Sequence, residues 1–165
     1  MHKILDLINS SNTPIKVSLN PEPYAKINNC FYNVEDKISK DKGDIIYGWK
    51  LHETVYLQEA ERHAIWKSPE GYLLDITPDP NYNTEILFLE EDGDWMFDGS
   101  YNGNLKVNNT DNPLIDDLIL VDKTITSLWR KGNRISRTHI NVPDIALKFI
   151  NDLESLVSDK KSLNF

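Results

Sequence analysis

Three side chains of this 165-residue chain could together perform nucleophilic catalysis: the thiol of Cys30, the imidazole of His63 and the carboxylate of Asp75. In such a triad a thiolate attacks a carbonyl carbon, an imidazole stabilises the thiolate and later protonates the leaving amine, and a carboxylate orients the imidazole. Cys30 is the only cysteine, so it forms no internal disulfide. Each of the three alone is more often structural, and their order and spacing are what favour a joint role.

Cys30 lies at the predicted start of an amphipathic helix. Phe31, Val34 and Ile38 recur with helical spacing and form one apolar face. Gly43, which follows a lysine-rich turn, is a typical stop signal. The N-terminus of a helix stabilises negative charge, so this position favours a thiolate, and the backbone N–H groups of the first turn can donate to an oxyanion.

His63 and Asp75 lie on two predicted strands of one hairpin, "YLQEAERHAIW" and "YLLDITP". We place the turn-rich loop at residues 67–71, so that Trp66 lies opposite Tyr72. His63 then lies opposite Asp75, and opposed residues share a face of the sheet at about 5 Å. A loop one residue shorter would send the two side chains to opposite faces. The expected hydrogen bond between them depends on this register.

A cysteine helix followed by a histidine strand and an aspartate strand resembles the transglutaminase-like branch of the papain-like cysteine enzymes. The resemblance rests on "NNCFYNV", "HAIW" and "GYLLDITP", within residues 28–78. It implies that Cys30 is the nucleophile, His63 the general base and acid, and Asp75 the orienting carboxylate. It also implies a thioacyl intermediate and an amide in a protein or peptide-like substrate, as in a peptidase, a deamidase or a transglutaminase-like acyl transferase.

Two features of the chain favour hydrolysis or deamidation over protein cross-linking. The chain is short, and Phe31 follows the cysteine where transglutaminases usually have tryptophan. This chemistry requires no cofactor. The alternative class is a catalytically inactive protein-binding module that keeps the same fold.

Three further residues are candidates for substrate binding or oxyanion stabilisation. Asn29 could donate to the oxyanion, although helix capping by Asn28 or Asn29 is the more common role. Trp49 could line the acyl pocket. Glu61 shares the predicted strand face of His63 and could bind a substrate amine.

A divalent metal site is a weaker alternative. Glu59, Glu61 and His63 alternate along one predicted strand, but they span about 13 Å, which is too far for all three to bind one ion. At most Glu61, His63 and Asp75 could converge on one ion. Because so few of these side chains could reach one ion, we predict no metal site.

The order of the predicted elements indicates a single α+β domain over residues 1–165 with a papain-like or transglutaminase-like core. In this prediction an N-terminal helix bearing Cys30 packs on an antiparallel sheet, and helices form the C-terminal part. The segments "TEILFLEE" and "WMFDGSY" flank "DGD" and predict a further hairpin.

The net charge of −8 and a pI near 4.9 argue against a nucleic-acid partner, because such binding depends on clustered basic residues. No apolar run is long enough to span a bilayer, which predicts no membrane partner. The N-terminal residues lack the apolar stretch of a signal peptide. Together with the lone cysteine, these features favour a cytoplasmic protein.

Overall fold

The computed structural model describes the backbone of residues 1–161 and the side chains of residues 1–155. Residues 162–165 of the predicted domain lie outside this described part. The helices within it are α1 (His2–Ile8), α2 (Cys30–Asp41), α3 (Pro113–Trp129) and α4 (Asp144–Lys161). In the described part of the chain, no helix combines the length and the apolar character needed to cross a membrane.

The strands, together with the helices, make the fold mixed α+β, as the sequence predicts. They are β1 (Ile15–Leu19), β2 (Asp44–Glu53), β3 (Leu57–Lys67), β4 (Leu73–Asp75), β5 (Glu85–Glu90), β6 (Leu105–Asn108), β7 (Asn133–Ser136) and β8 (His139–Asn141). β7 and β8 form a separate hairpin, and β6 extends the main sheet beside β3.

Five strands close into a barrel. Neighbours run in the order β2, β5, β1, β4 and β3, and β3 pairs again with β2. The sequence predicts an antiparallel sheet, and this prediction is wrong for one pair of strands, since β1 and β4 run parallel. The parallel pair arises because β1, which precedes the cysteine helix, is inserted between β4 and β5.

The two faces of β3 contribute to different parts of the core. Ala64 packs with Cys30 and Val34 of α2, whereas Ile65 packs with Phe88 of β5. His63 shares the face of Ile65 because side chains alternate along a strand. α2 therefore covers the opposite face of β3, and only its first residue, Cys30, lines a cavity together with His63.

The end of α2 anchors the helix to the sheet. Lys42 and Gly43 adopt positive φ angles of 62° and 89°. A side chain at Gly43 would place its Cβ 2.2 Å from the carbonyl oxygen of Lys67, so only glycine fits there. Trp66 Nε1 donates to the Lys42 carbonyl at 2.8 Å. The predicted stop signal is therefore confirmed.

The hairpin predicted around "DGD" is wrong in its second strand. β5 is paired with β1 on one edge and with β2 on the other, so no edge remains for a further strand. Residues 95–101 form no strand. Instead Trp95 and Phe97 pack onto Phe31 and Tyr47, and the rings of Phe31 and Phe97 stack with centroids 4.2 Å apart.

Candidate active site

The structure brings His63 and Asp75 together in a buried hydrogen bond. His63 Nε2 donates to Asp75 Oδ2 at 2.9 Å, and the side chains are 3% and 0% exposed. The other carboxylate oxygen, Oδ1, accepts from the backbone N–H of Thr77 at 2.9 Å. Both oxygens of Asp75 are thus engaged, which holds the imidazole ring in one orientation.

This hydrogen bond forms with a strand register that differs from the predicted one. Trp66 lies opposite Leu74, so the prediction that it faces Tyr72 is wrong. The loop starts one residue later because Ser68 closes it, with its backbone N–H donating to the Tyr72 carbonyl and its hydroxyl accepting from the Tyr72 N–H. The prediction that His63 lies directly opposite Asp75 is therefore also wrong. The pairing shifts by two residues, which keeps both side chains on one face of the sheet, and as diagonal neighbours they remain within reach of each other.

Cys30 is 5% exposed and lies where two cavities meet. The larger cavity, of about 540 Å³, and the smaller cavity, of about 150 Å³, share Asn28, Cys30 and Glu61 in their walls. His63 lines the smaller cavity. The thiol therefore has space on two sides, and the imidazole lies on only one of them.

The electrostatic environment of His63 favours its charged form. Burial alone lowers the pKa of His63, but negative charge at Cys30 and Asp75, together with the hydrogen bond to Asp75, outweighs burial and raises the pKa from 6.5 to about 10. Nδ1 is buried, and within the described residues it makes no hydrogen bond that meets ordinary distance and angle limits. The imidazolium thus interacts with Cys30 through charge and keeps one N–H donor uncommitted.

The start of α2 is not capped by a side chain from the described residues. Asn29 occupies the cap position, but its Nδ2 donates to the Ile27 carbonyl at 3.3 Å, and the residue lines the larger cavity. Asn28, with a φ of 61°, lines both cavities. The first N–H groups of a helix lack partners within the helix, so this uncapped turn can donate to an oxyanion.

Glu61, like Cys30, lies in the walls of both cavities. Its Oε2 is 3.8 Å from His52 Nε2. Burial raises the pKa of Glu61, but the interaction with His52 and the positive charges of His63 and Lys50 outweigh burial and lower the pKa. Glu61 is therefore a carboxylate at neutral pH and can bind an amine.

Of the predicted site residues, Asp75 and Trp49 line neither cavity, but Asp75 meets the site through its hydrogen bond to His63. Trp49 is 6% exposed and packs in the core with Ile4 and Leu89. The guanidinium of Arg62 stacks on its ring at 3.6 Å. Since Arg62 lines the larger cavity, Trp49 supports the cavity wall from behind.

Asn33 is a residue that the sequence-based prediction missed. Its side chain is buried, and its Nδ2 donates to the Lys26 carbonyl at 2.8 Å and to Thr77 Oγ1 at 3.1 Å. Its Oδ1 accepts from the Lys26 N–H at 3.0 Å. Asn33 thereby ties the loop before Cys30 to the residues after Asp75. An asparagine inside a helix was the available signal, because this residue is unfavourable there without a tertiary partner.

We expect Asn33→Ala to lower the free energy of unfolding by about 2–3 kcal/mol, because buried polar partners lose their hydrogen bonds. Urea denaturation measures this loss. Asn29→Ala is the matched control, since its side chain makes one longer bond near the surface, and we expect a change within about 0.5 kcal/mol. Equal effects of the two substitutions would contradict the role of Asn33.

A buried ion pair, also missed, forms part of the wall of the smaller cavity. Lys50 Nζ donates to Asp79 Oδ2 at 2.7 Å, and the side chains are 10% and 2% exposed. Asp79 also accepts from the Asn81 N–H and from Asn83 Nδ2. Burial raises the pKa of Asp79, but these hydrogen bonds and the charge of Lys50 outweigh burial and lower the pKa below its ordinary value.

The acidic and histidine side chains of β3 have partners other than a metal. Asn104 Nδ2 donates to Glu59 Oε1, Glu61 faces His52, and His63 binds Asp75. Within residues 1–155, no three His, Cys, Asp or Glu side chains are grouped so that they could hold an ion.

Comparison with protein-family models finds no model that matches the chain. Comparison with curated proteins and with solved structures also finds no match.

Proposed function

We propose that the protein is a cysteine-dependent hydrolase or deamidase that cleaves an amide in a protein or peptide-like substrate through a thioacyl intermediate. The observation that carries this proposal is the buried pair of His63 and Asp75 beside Cys30, at the uncapped start of a helix. Burial of an imidazolium against a thiol is the arrangement that activates cysteine nucleophiles.

In the first half of the reaction, the Cys30 thiolate attacks the carbonyl carbon of the amide. A C–S bond forms, and the negative charge that develops on the oxygen is stabilised by backbone N–H groups of the first turn of α2. His63 donates its Nδ1 proton to the leaving nitrogen, and the C–N bond breaks. Asp75 keeps the ring aligned while His63 loses its charge.

In the second half, a water molecule replaces the departed amine. His63, now neutral, takes a proton from this water, the oxygen attacks the thioester carbon, and the C–S bond breaks to regenerate the thiolate. The smaller cavity on the His63 side, of about 150 Å³, has room for a few water molecules or a small amine. This size favours hydrolysis or deamidation over transfer to a protein side chain.

We also propose that the chain belongs to the transglutaminase-like branch of papain-like enzymes. The chain order of the cysteine helix, the histidine strand and the aspartate strand supports this assignment, as does the packing of α2 against β3. A non-catalytic binding module of the same fold would share these features. Reactivity of the thiol separates the two functions.

The test is the rate at which iodoacetamide alkylates Cys30 between about pH 5 and about pH 10. We compare the wild type with His63→Gln, which keeps the bulk and a hydrogen bond to Asp75 but removes the charge. His52→Gln is the matched control, since His52 lines the same cavity without contacting Asp75. We expect fast alkylation of the wild type at neutral pH, at least about 10-fold slower alkylation of His63→Gln, and little change in His52→Gln.

The raised pKa of His63 gives the sign of the pH dependence. The imidazole of His63 is positively charged at neutral pH and loses this charge as the pH rises towards about 10. Its stabilisation of the thiolate is lost over the same range. The difference between wild type and His63→Gln should therefore be large at neutral pH and should shrink in alkali. A slow rate at neutral pH that is equal in both proteins would identify a structural thiol and favour the binding module.

A further inference from the structure

The wall of the larger cavity carries more positive than negative charge, although the chain as a whole has a net charge of −8. Arg62, Arg134 and Arg137 line it, and Glu61 is the only carboxylate residue in its wall among the described residues. Two of the arginines, Arg134 and Arg137, come from the β7–β8 hairpin, which forms part of the same cavity wall as Cys30.

Two of these arginines are neutralised within the protein. Arg62 forms an ion pair with Glu91 and stacks between the rings of Trp49 and Trp95. Arg137 Nη1 donates to both carboxylate oxygens of Asp36, at 2.8 Å and 2.9 Å. Neither guanidinium therefore needs a further counter-charge.

Arg134 has no such partner. Among the described residues no carboxylate lies within salt-bridge distance of it. Its Nε donates to the Gly99 carbonyl and its Nη1 to the Arg137 carbonyl, at 3.1 Å for the latter. The rings of Tyr32 and Phe97 lie 5.9 Å from the guanidinium carbon. Neutral carbonyls position this half-buried cation without neutralising it, and three of its five N–H donors remain for a ligand.

The positions of His63 and Arg134 in different cavities indicate which part of the substrate would contact Arg134. The leaving amine must lie near His63, which lines the smaller cavity. The acyl part of the substrate then extends from Cys30 into the larger cavity, where Arg134 lies. We propose that Arg134 binds a carboxylate on the acyl-donating part of the substrate, so that the preferred substrate is an amide with an acidic side chain on that side. This inference rests on the proposed function.

The test uses a pair of alkylating reagents that differ only in one charge: the α-amides of iodoacetyl-glutamate and iodoacetyl-glutamine. Their rates with Cys30 are divided by their rates with N-acetylcysteine to remove intrinsic reactivity. We expect the wild type to prefer the glutamate reagent by about 5- to 10-fold at low salt, because a charge-assisted hydrogen bond forms at a partly screened site. Added salt should weaken the preference.

Arg134→Gln should abolish the preference, and Arg134→Lys should keep part of it because the charge remains. Arg130→Gln is the matched control, since Arg130 donates to the Tyr101 carbonyl and does not line the cavity. We expect this control to keep the full preference. Equal rates with the two reagents in the wild type, or a preference that survives in Arg134→Gln, would overturn the role of Arg134 while leaving the reactivity of Cys30 intact.

A binding measurement separates failure of this inference from failure of the proposed function. N-acetyl-glutamate amide is titrated into Cys30→Ser, and the Nε–H resonance of Arg134 is followed by NMR, with N-acetyl-glutamine amide as the neutral comparison. We expect a saturable shift with the charged ligand only. An unreactive thiol together with this shift would contradict the catalytic proposal and would still support an anion-binding site at Arg134. No shift with either ligand would overturn the anion site itself.

Discussion

Asp75→Asn is expected to slow the alkylation of Cys30 at neutral pH by about 10- to 100-fold. Asparagine has nearly the same shape, so the protein should fold, but the charge that helps to raise the pKa of His63 is removed. The imidazole then becomes neutral at a lower pH and no longer stabilises the thiolate. NMR titration of His63 should show its pKa falling from about 10.

Glu61→Gln provides a matched control with a smaller expected effect. This substitution also removes one negative charge from the cavity walls, but Glu61 makes no hydrogen bond to His63, and His63 is only one of several groups that lower the pKa of Glu61. The alkylation rate should therefore fall much less than in Asp75→Asn. A similar loss of rate in Asp75→Asn and Glu61→Gln would show that Asp75 does not act through His63.

Asp79→Asn is expected to lower the free energy of unfolding by about 3 kcal/mol, because it leaves the buried ammonium of Lys50 without its counter-charge. Asparagine can still accept the hydrogen bond from the Asn81 N–H. Adding Lys50→Met removes the unpaired charge, and the double variant should recover at least half of the loss. Urea denaturation of the wild type, Asp79→Asn and the double variant measures these values. A double variant no more stable than Asp79→Asn would contradict the argument.

The same pair contributes to the dependence of stability on pH. The pKa of Asp79 is lowered in the folded protein from its ordinary value of 3.8. Its contribution to stability is therefore fully present above the pKa of the unfolded chain and is lost as the pH falls through the lower, folded value. The stability difference between wild type and the double variant should shrink in acid below about pH 4.

Local sequence patterns were enough to place Cys30, His63 and Asp75 on their helix and strands. Helical periodicity and Gly43 predict α2 with Cys30 at its start, and both depend on residues within a few turns of one another. The alternation of side chains along β3 and β4 places His63 and Asp75 on one face, because a strand has a period of two and the loop is short. The register was predicted incorrectly, and the shared face survived because the shift was even.

How distant segments meet around Cys30, His63 and Asp75 depends on the packing of the whole chain. Closure of the barrel used both edges of β5, which excluded the hairpin predicted around "DGD". Asn33 meets Thr77 across 44 residues, Lys50 meets Asp79 across 29, and Arg137 meets Asp36 across 101. Local patterns carry no information about such pairs. A buried charge is stable only where packing of the whole chain supplies its partner, so the charge balance of the cavities emerges only from the folded protein.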